Sequence, residues 1–312
     1  MQGDPTKVSW LPRCPEDARH PSYAPPPSEH IIADCLSWGL ARAIPTAATS
    51  ALMPPPEFFV AGVRIHAITV ADAVSTIDEW IRTRCRSYVV LTGAHGVVEM
   101  QSDQALLDIN NRAGLTTPDG MPVVWLGRLK GHRHVEKVYA PDVMTATFEF
   151  GLKGSYRHFL YGGDLGVADE LNRKLQDRYP GIRIVGTYCP PFRPLADEEV
   201  DGLAALINAA APDIVWVGLG CPKQEHWMHR LRPRLEAPVL IGVGTGFDFL
   251  AGRKPLAPRW IQRSGFEWLY RMLSEPRRLW PRYSRVVPRF VYLACRDWLR
   301  NRNPDRAGRA SV

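Results

Sequence analysis

The chain has 312 residues, 45% of them hydrophobic and 23% charged, with a formal net charge of +7 and six cysteines. That length and apolar content exclude a wholly disordered chain and allow one large packed domain or two small ones. No apolar run is long enough to span a bilayer as a helix and the N-terminus lacks a signal peptide's basic start and apolar centre, so the expectation is a cytosolic protein.

The cysteines (Cys14, Cys35, Cys85, Cys189, Cys221 and Cys295) are scattered, with no CxxC and no Cys/His cluster of metal spacing. They read as reduced thiols, and no structural zinc is expected. Charge is unevenly placed. Residues 253–312 carry 15 Arg or Lys against 4 acids, an excess larger than that of the whole chain, so everything before Arg253 is slightly acidic. A basic tail suits nucleic acid, anionic lipid or a phosphorylated ligand, and charge alone does not choose among them.

Residues 1–56 hold 11 of the 28 prolines, so this segment reads as a mobile extension with one short helix over 31–44. Ordered structure is expected from Phe58, with a core over 57–252 and a basic amphipathic appendage over 253–312. Phe58 to Ile65 reads as a strand or hairpin. Thr69 caps a helix running to about Arg84. Ser87–Thr92 is a buried strand ending in Gly93, followed by one helix over Gly96–Asn111 and then the turn around Asp119. Strands near 157–161, 182–188, 213–220 and 238–243 alternate with helices, two ending near Tyr179 and Ala210 and a third starting at Gln224-Glu225. Continuous Val/Ile runs between helices predict a mainly parallel α/β sheet covered on both faces.

Ligands of open α/β sheets bind beyond the carboxyl ends of the strands. Four such ends here carry unusual residues: Thr92-Gly93, Gly162-Gly163, Gly220-Cys221-Pro222-Lys223-Gln224-Glu225 and Gly244-Thr245-Gly246-Phe247-Asp248. Glycines there let backbone N–H groups approach an anion, and the helix starts that follow favour phosphate, so a nucleotide diphosphate fits. A dinucleotide enzyme is disfavoured, because Gly162-Gly163-Asp164-Leu165-Gly166 is not GxGxxG and Gly218-Leu219-Gly220 supplies only two of its glycines. Neither GxxxxGK[ST] nor GxSxG occurs. Gln224 and Glu225 also read as an ordinary polar first turn, His95 as a structural histidine, and Asp248 as a partner of ribose, base or backbone.

Pro118 and Gly120 hold Asp119 on a tight turn ahead of a helix that begins at Pro122. An acid in that position either caps the helix or serves as a catalytic base, and its own turn leaves both open. In the tail, Glu267–Leu273 is an amphipathic helix, and the arginines after it interleave with Trp, Tyr and Leu. That pattern suits an interfacial segment on anionic lipid. No nucleic-acid-binding signature accompanies it, and no nucleic-acid partner is expected.

Four blocks, Thr117–Pro122, Gly220–Glu225, Gly244–Gly252 and Glu267–Arg271, together resemble the WecG/TagA/CpsF glycosyltransferases in order and spacing over roughly 58–298. The resemblance implies a Rossmann-like fold with a C-terminal membrane-associating helical appendage. It also implies a UDP-sugar donor, a polyprenyl-diphosphate-linked glycan as acceptor, and inversion with neither metal nor cofactor. Such an enzyme would sit peripherally on the inner face of the plasma membrane, in cell-surface or exopolysaccharide synthesis; a homo-oligomer is allowed. Asp119 matches the family's general base, and Thr92 sits at or beside a threonine that helps in catalysis. Gln224 and Asp248 match positions associated with nucleotide or sugar. The donor set is completed by Gly93, His95, Lys137, Gly162, Gly163, Lys223, Glu225 and Gly244, while Arg271, Arg277, Arg278, Arg282 and Arg285 are assigned to membrane or diphosphate.

Three departures stand out. Lys137 replaces an arginine and turns a bidentate clamp into a point charge. Gly93-Ala94-His95 replaces a frequent asparagine, and Pro190-Pro191-Phe192 stands where a tyrosine is common. The rival from another class is a non-catalytic, membrane-associated module that binds a nucleotide sugar.

Overall fold

The computed structural model describes residues 55–191, 193 and 195–302. The helix expected over 31–44 and the rest of the Pro-rich extension lie outside the described residues.

β1 (Glu57–Val60) and β2 (Val63–His66) form an antiparallel hairpin, closed by Ala61 and Gly62, both at positive φ. Two such residues twist the turn the way the strands already twist. α1 (Val70–Thr83) starts at Thr69, whose hydroxyl accepts from the Asp72 N–H while the Asp72 carboxylate accepts from the Thr69 N–H. After β3 (Ser87–Thr92) the single helix expected over Gly96–Asn111 proves to be two, α2 (Ala94–Glu99) and α3 (Gln104–Arg112). The break has a local cause: Asp103 accepts from the Leu106 N–H at 2.9 Å and starts a new helix instead of extending the old one.

β4 (Leu115–Pro118) leads through Asp119 into α4 (Met121–Leu129), then α5 (Ala140–Gly154), β5 (Arg157–Gly162), α6 (Val167–Arg178) and β6 (Arg183–Tyr188). α7 (Asp197–Ala209), β7 (Ile214–Gly218), α8 (Lys223–Leu231), β8 (Val239–Gly242) and α9 (Gly246–Leu250) complete the layered part. Six strands make one parallel sheet in the order β4-β3-β8-β7-β5-β6. Its central strands are buried, β8 throughout and β7 as far as Val217, as their Val/Ile runs require. One face packs Ile77, Met144, Phe148 and Leu171 from α1, α5 and α6. The other packs Ile109, Leu203, Ile207 and Met228 from α3, α7 and α8.

The C-terminal segment folds as α10 (Arg259–Ser264), α11 (Glu267–Ser274) and the 27-residue α12 (Pro276–Arg302). Val286, Phe290 and Leu293 of α12 are buried in a third core with Phe58 and Val60 of the hairpin, Val97 of α2 and Val123 of α4. Part of the apolar stripe that looks available to lipid in the sequence is therefore spent on protein. Apolar residues left exposed nearby include Trp260, Phe266, Leu273, Trp280, Tyr292 and Leu299. Among the described residues no helix is long and apolar enough to cross a membrane.

Candidate active site

β5 continues through α6 to β6 on one side, whereas β7 continues through α8 to β8 on the other, so the loops after β5 and β7 part in opposite directions. A crevice opens where connections diverge in this way. Here it is a cleft of about 810 Å³, lined by Gly163, Gly220, Lys223, Gly244 and Asp248 from the strand ends and by Arg278 from α12. Tyr161 stacks between Trp227, with centroids 4.2 Å apart, and Tyr188, at 5.7 Å, and gives the cleft a rigid aromatic wall. Gly162 has φ +106, and a Cβ there would lie 2.8 Å from the Gly218 carbonyl group, so two strand ends meet at a distance only glycine permits.

Hydrogen bonding within these loops is largely internal. Gln224 is buried, and its Oε1 accepts from the N–H groups of Gly220 at 3.1 Å and Gly244 at 2.9 Å. Its Nε2 donates to Glu225. Gln224 thus staples the β7 and β8 loops together, and the Gly163 N–H is taken by the Gly218 carbonyl. Charge for an anion comes instead from side chains on the cleft, the exposed Lys223 and Arg278, with Arg278 paired to Glu275, which also lines the cleft, and Lys254 paired to Asp248 at 2.8 Å. Glu225 lies behind this surface, one carboxylate oxygen unpartnered among the described residues, and burial raises its pKa.

Asp119 sits at the end of the sheet, beyond edge strand β4. Its N–H donates to the Thr92 carbonyl at 3.0 Å, which ties the β3 and β4 ends together. Gly93 is needed for that approach: a Cβ on it would lie 2.4 Å from the Asp119 carbonyl oxygen. The helix-capping alternative for Asp119 is not realised. Gly120, at φ +115, is the N-cap of α4, and no side chain bonds to that helix start.

Lys137 reaches Glu267 of α11 and lies over the Tyr139 ring, 3.7 Å from its centroid. Glu267 also pairs with Arg271 at 3.1 Å. These groups surround Asp119 electrostatically. Burial raises the pKa of its carboxyl above the usual value, Lys137 and Arg271 oppose the rise, and Glu267 adds to it. Beside them, Asp142 binds Arg259 at 3.0 Å, and burial, eased by Arg259 and Lys137, pushes it up to about 6. Tyr139 donates to Gln262, which also accepts from Arg259.

The sequence-derived residues therefore fall in three places. Gly163, Lys223, Gly244, Asp248 and Arg278 line the cleft, with Gly162 and Gln224 shaping its loops. Asp119, Lys137 and Arg271 form a charged cluster that does not line it. His95, Arg282 and Arg285 face a smaller pocket between α2 and α12. Arg277 is exposed and lines neither. Thr92 is buried, its hydroxyl donating to Asn110 Oδ1 at 2.7 Å. Sequence reasoning missed the Tyr139–Gln262–Arg259–Asp142 network, whose members come from segments 117 residues apart and share no local pattern. Glu267 opens the Glu267–Arg271 block, yet nothing local marks it as the bridge between Lys137 and Arg271.

The layout is that of an α/β protein with a ligand cleft at its switch point and a separate half-buried carboxylate among cations. The model of the WecG/TagA/CpsF glycosyl transferase family matches residues 58–304, and the chain belongs to that family. It is similar to the N-acetylglucosaminyldiphosphoundecaprenol N-acetyl-beta-D-mannosaminyltransferase of Bacillus subtilis (strain 168), 33% identical over 195 residues, which are 62% of this chain and 73% of the relative. The protein of that name from Bacillus spizizenii is 32% identical over 57% of this chain and 67% of its own. The one from Staphylococcus aureus (strain MW2) is 27% identical over 75% of this chain and 90% of its own.

Proposed function

We propose that this protein transfers a hexosyl group from a UDP-sugar to a polyprenyl-diphosphate-linked glycan at the inner face of the plasma membrane, with inversion and with Asp119 as general base. The observation that carries the reading is the state of Asp119: a half-buried carboxylate held by its backbone, left out of helix capping and kept beside Lys137 and Arg271. The activities named for the relatives support the acceptor class and make UDP-N-acetylmannosamine the first donor to offer.

In the proposed step the acceptor hydroxyl attacks the anomeric carbon as its proton passes to Asp119. A glycosidic bond forms and the bond from C1 to the diphosphate oxygen breaks, so UDP leaves with the electron pair. Lys223 and Arg278 in the cleft meet its charge. A raised carboxyl pKa suits the role, because a general base works best with its pKa near the working pH. Lys137 and Arg271 oppose the rise that burial gives the carboxyl.

The test offers a panel of UDP-N-acetylmannosamine, UDP-N-acetylglucosamine and UDP-glucose with a lipid-linked GlcNAc-diphosphate acceptor and reads the product by mass spectrometry. One sugar added to the lipid is the expected result. UDP binding with no transfer from any donor would leave a nucleotide-sugar-binding module instead.

A further inference from the structure

Gln224 and Glu225 stand in the first turn of α8, yet both are buried, at 4% and 1% exposure. A polar first turn ordinarily lies in water, and an acid is almost never fully buried unless it is paired. Among the described residues no ion pair includes Glu225. Its Oε1 accepts from Gln224 Nε2 at 3.0 Å, its Oε2 has no partner among the described residues, and the Cys221 thiol lies beside the carboxyl. Such a group is costly to bury, and its one side-chain bond goes to the neighbouring amide.

That amide has two orientations of nearly the same shape, related by a half-turn about its last bond. Only one suits its surroundings. Gln224 Oε1 accepts from the N–H groups of Gly220 at 3.1 Å and Gly244 at 2.9 Å, while Nε2 meets Glu225. After a half-turn Nε2 would meet two donors, both glycine N–H groups would lose their acceptor, and Oε1 would face a carboxylate. Gly242 makes the room, since a Cβ there would lie 2.8 Å from Gln224 Nε2. Gly220 and Gly244 line the donor cleft on loops that follow the adjacent strands β7 and β8. The amide therefore sets the place of Lys223 on one loop against Thr245 and Asp248 on the other.

We propose that Glu225 is a positioning residue for donor binding: by accepting from Gln224 Nε2 it locks the amide that holds the two glycine loops of the cleft at one spacing. The proposal rests on the UDP-sugar part of the reading above and gives a task to the acid buried behind that site. Glu225 supplies an acceptor here, not a charge that meets the ligand. Asp119 lies beyond β4, with β3 between that strand and β8, so the effect falls on donor binding and not on proton transfer.

The test uses the full chain and measures UDP affinity by calorimetry, kcat and both KM values in the transfer assay, and hydrogen exchange at the Gly220 and Gly244 amides. Glu225→Leu removes the acceptor at similar size, and Glu225→Gln keeps an acceptor while dropping the charge. Gly242→Ala presses on the amide from β8 without touching Glu225; its nearest contacts are the flexible ends of Gln224 and Met228. Glu225→Leu should lose about tenfold in UDP affinity, the worth of one good hydrogen bond, with a matching rise in donor KM. Its kcat and acceptor KM should stay at wild-type values while both glycine amides exchange faster. Glu225→Gln should stay within about threefold of wild type. Gly242→Ala should follow Glu225→Leu, and it decides the matter if Glu225→Leu does not fold. Wild-type UDP affinity in a folded Glu225→Leu protein would overturn the positioning role alone. An equal loss in Glu225→Gln would overturn it as well, because the charge and not the acceptor would then be what matters. If UDP does not bind wild type, the donor reading fails and the positioning role falls with it.

Discussion

Replacing Asp119 by Asn removes one negative charge and changes little else. The side chain caps no helix, and its turn is held by main-chain contacts and by Gly93 and Gly120, so the fold should survive. The sign of the stability effect follows from the raised carboxyl pKa. Because the folded protein disfavours the ionised form, wild type loses some stability as pH rises from the unfolded carboxyl's value through the folded one. D119N lacks that loss and should melt at or slightly above wild type at pH 7. Catalysis goes the other way. A positioned general base contributes on the order of a hundredfold to ten-thousandfold, or about 3–5 kcal/mol of barrier. The assay is transfer of labelled sugar to lipid-linked acceptor across pH 4–8, with thermal melting in parallel. Wild-type kcat/KM should fall on an acid limb set by a carboxyl above its ordinary pKa, and D119N should show a low rate without that limb. Near wild-type turnover by a folded D119N protein would refute Asp119 as the base, whatever the fate of the family assignment.

Glu267→Gln strips the carboxylate shared by Lys137 and Arg271 and should lower stability by about 2–3 kcal/mol, since breaking a largely buried pair leaves charge uncompensated. The same variant should shift the acid limb to lower pH, because Glu267 is one of the groups holding the Asp119 pKa up; an unmoved limb would separate the two residues. Phe290→Ala opens a cavity where α12 meets the hairpin and should cost about 3–5 kcal/mol in denaturant unfolding, whereas a cost near zero would mean that α12 is not docked there in solution.

The docking of α12 also bears on experiments that delete it. Removing residues beyond Glu275 would expose the Phe58, Val60 and Val97 side of the third core, so loss of activity on truncation reports folding as well as membrane contact. Point substitutions on the exposed flank keep the two apart.

Much of the layered fold was legible in the chain. Strands covered on both faces must be nearly continuous in Val and Ile, and crossover helices must show a 3.6-residue apolar period, so the alternation along 87–243 announces a parallel sheet. Thr69 and Asp72 lie three residues apart and spell their capping box locally. The helix break at Asp103 was equally local but was outweighed by the apolar periodicity on either side of it. Glycines at strand ends marked the cleft's position because close backbone approach and positive φ exclude other residues.

Sequence could not say what those glycine loops do with their N–H groups, nor where the tail goes. Gln224 spends its amide on Gly220 and Gly244, a contact between two strand ends brought together by the sheet order. Arginines 271, 278 and 282 look like one interfacial series, yet α11 and α12 send them to the Asp119 cluster, the donor cleft and the α2–α12 pocket in turn. Local pattern determines which elements form, because propensity, capping and turn chemistry act over a few residues. Which charges share a site depends on contacts 100 residues or more apart, such as Lys137 with Glu267, and only tertiary packing decides those.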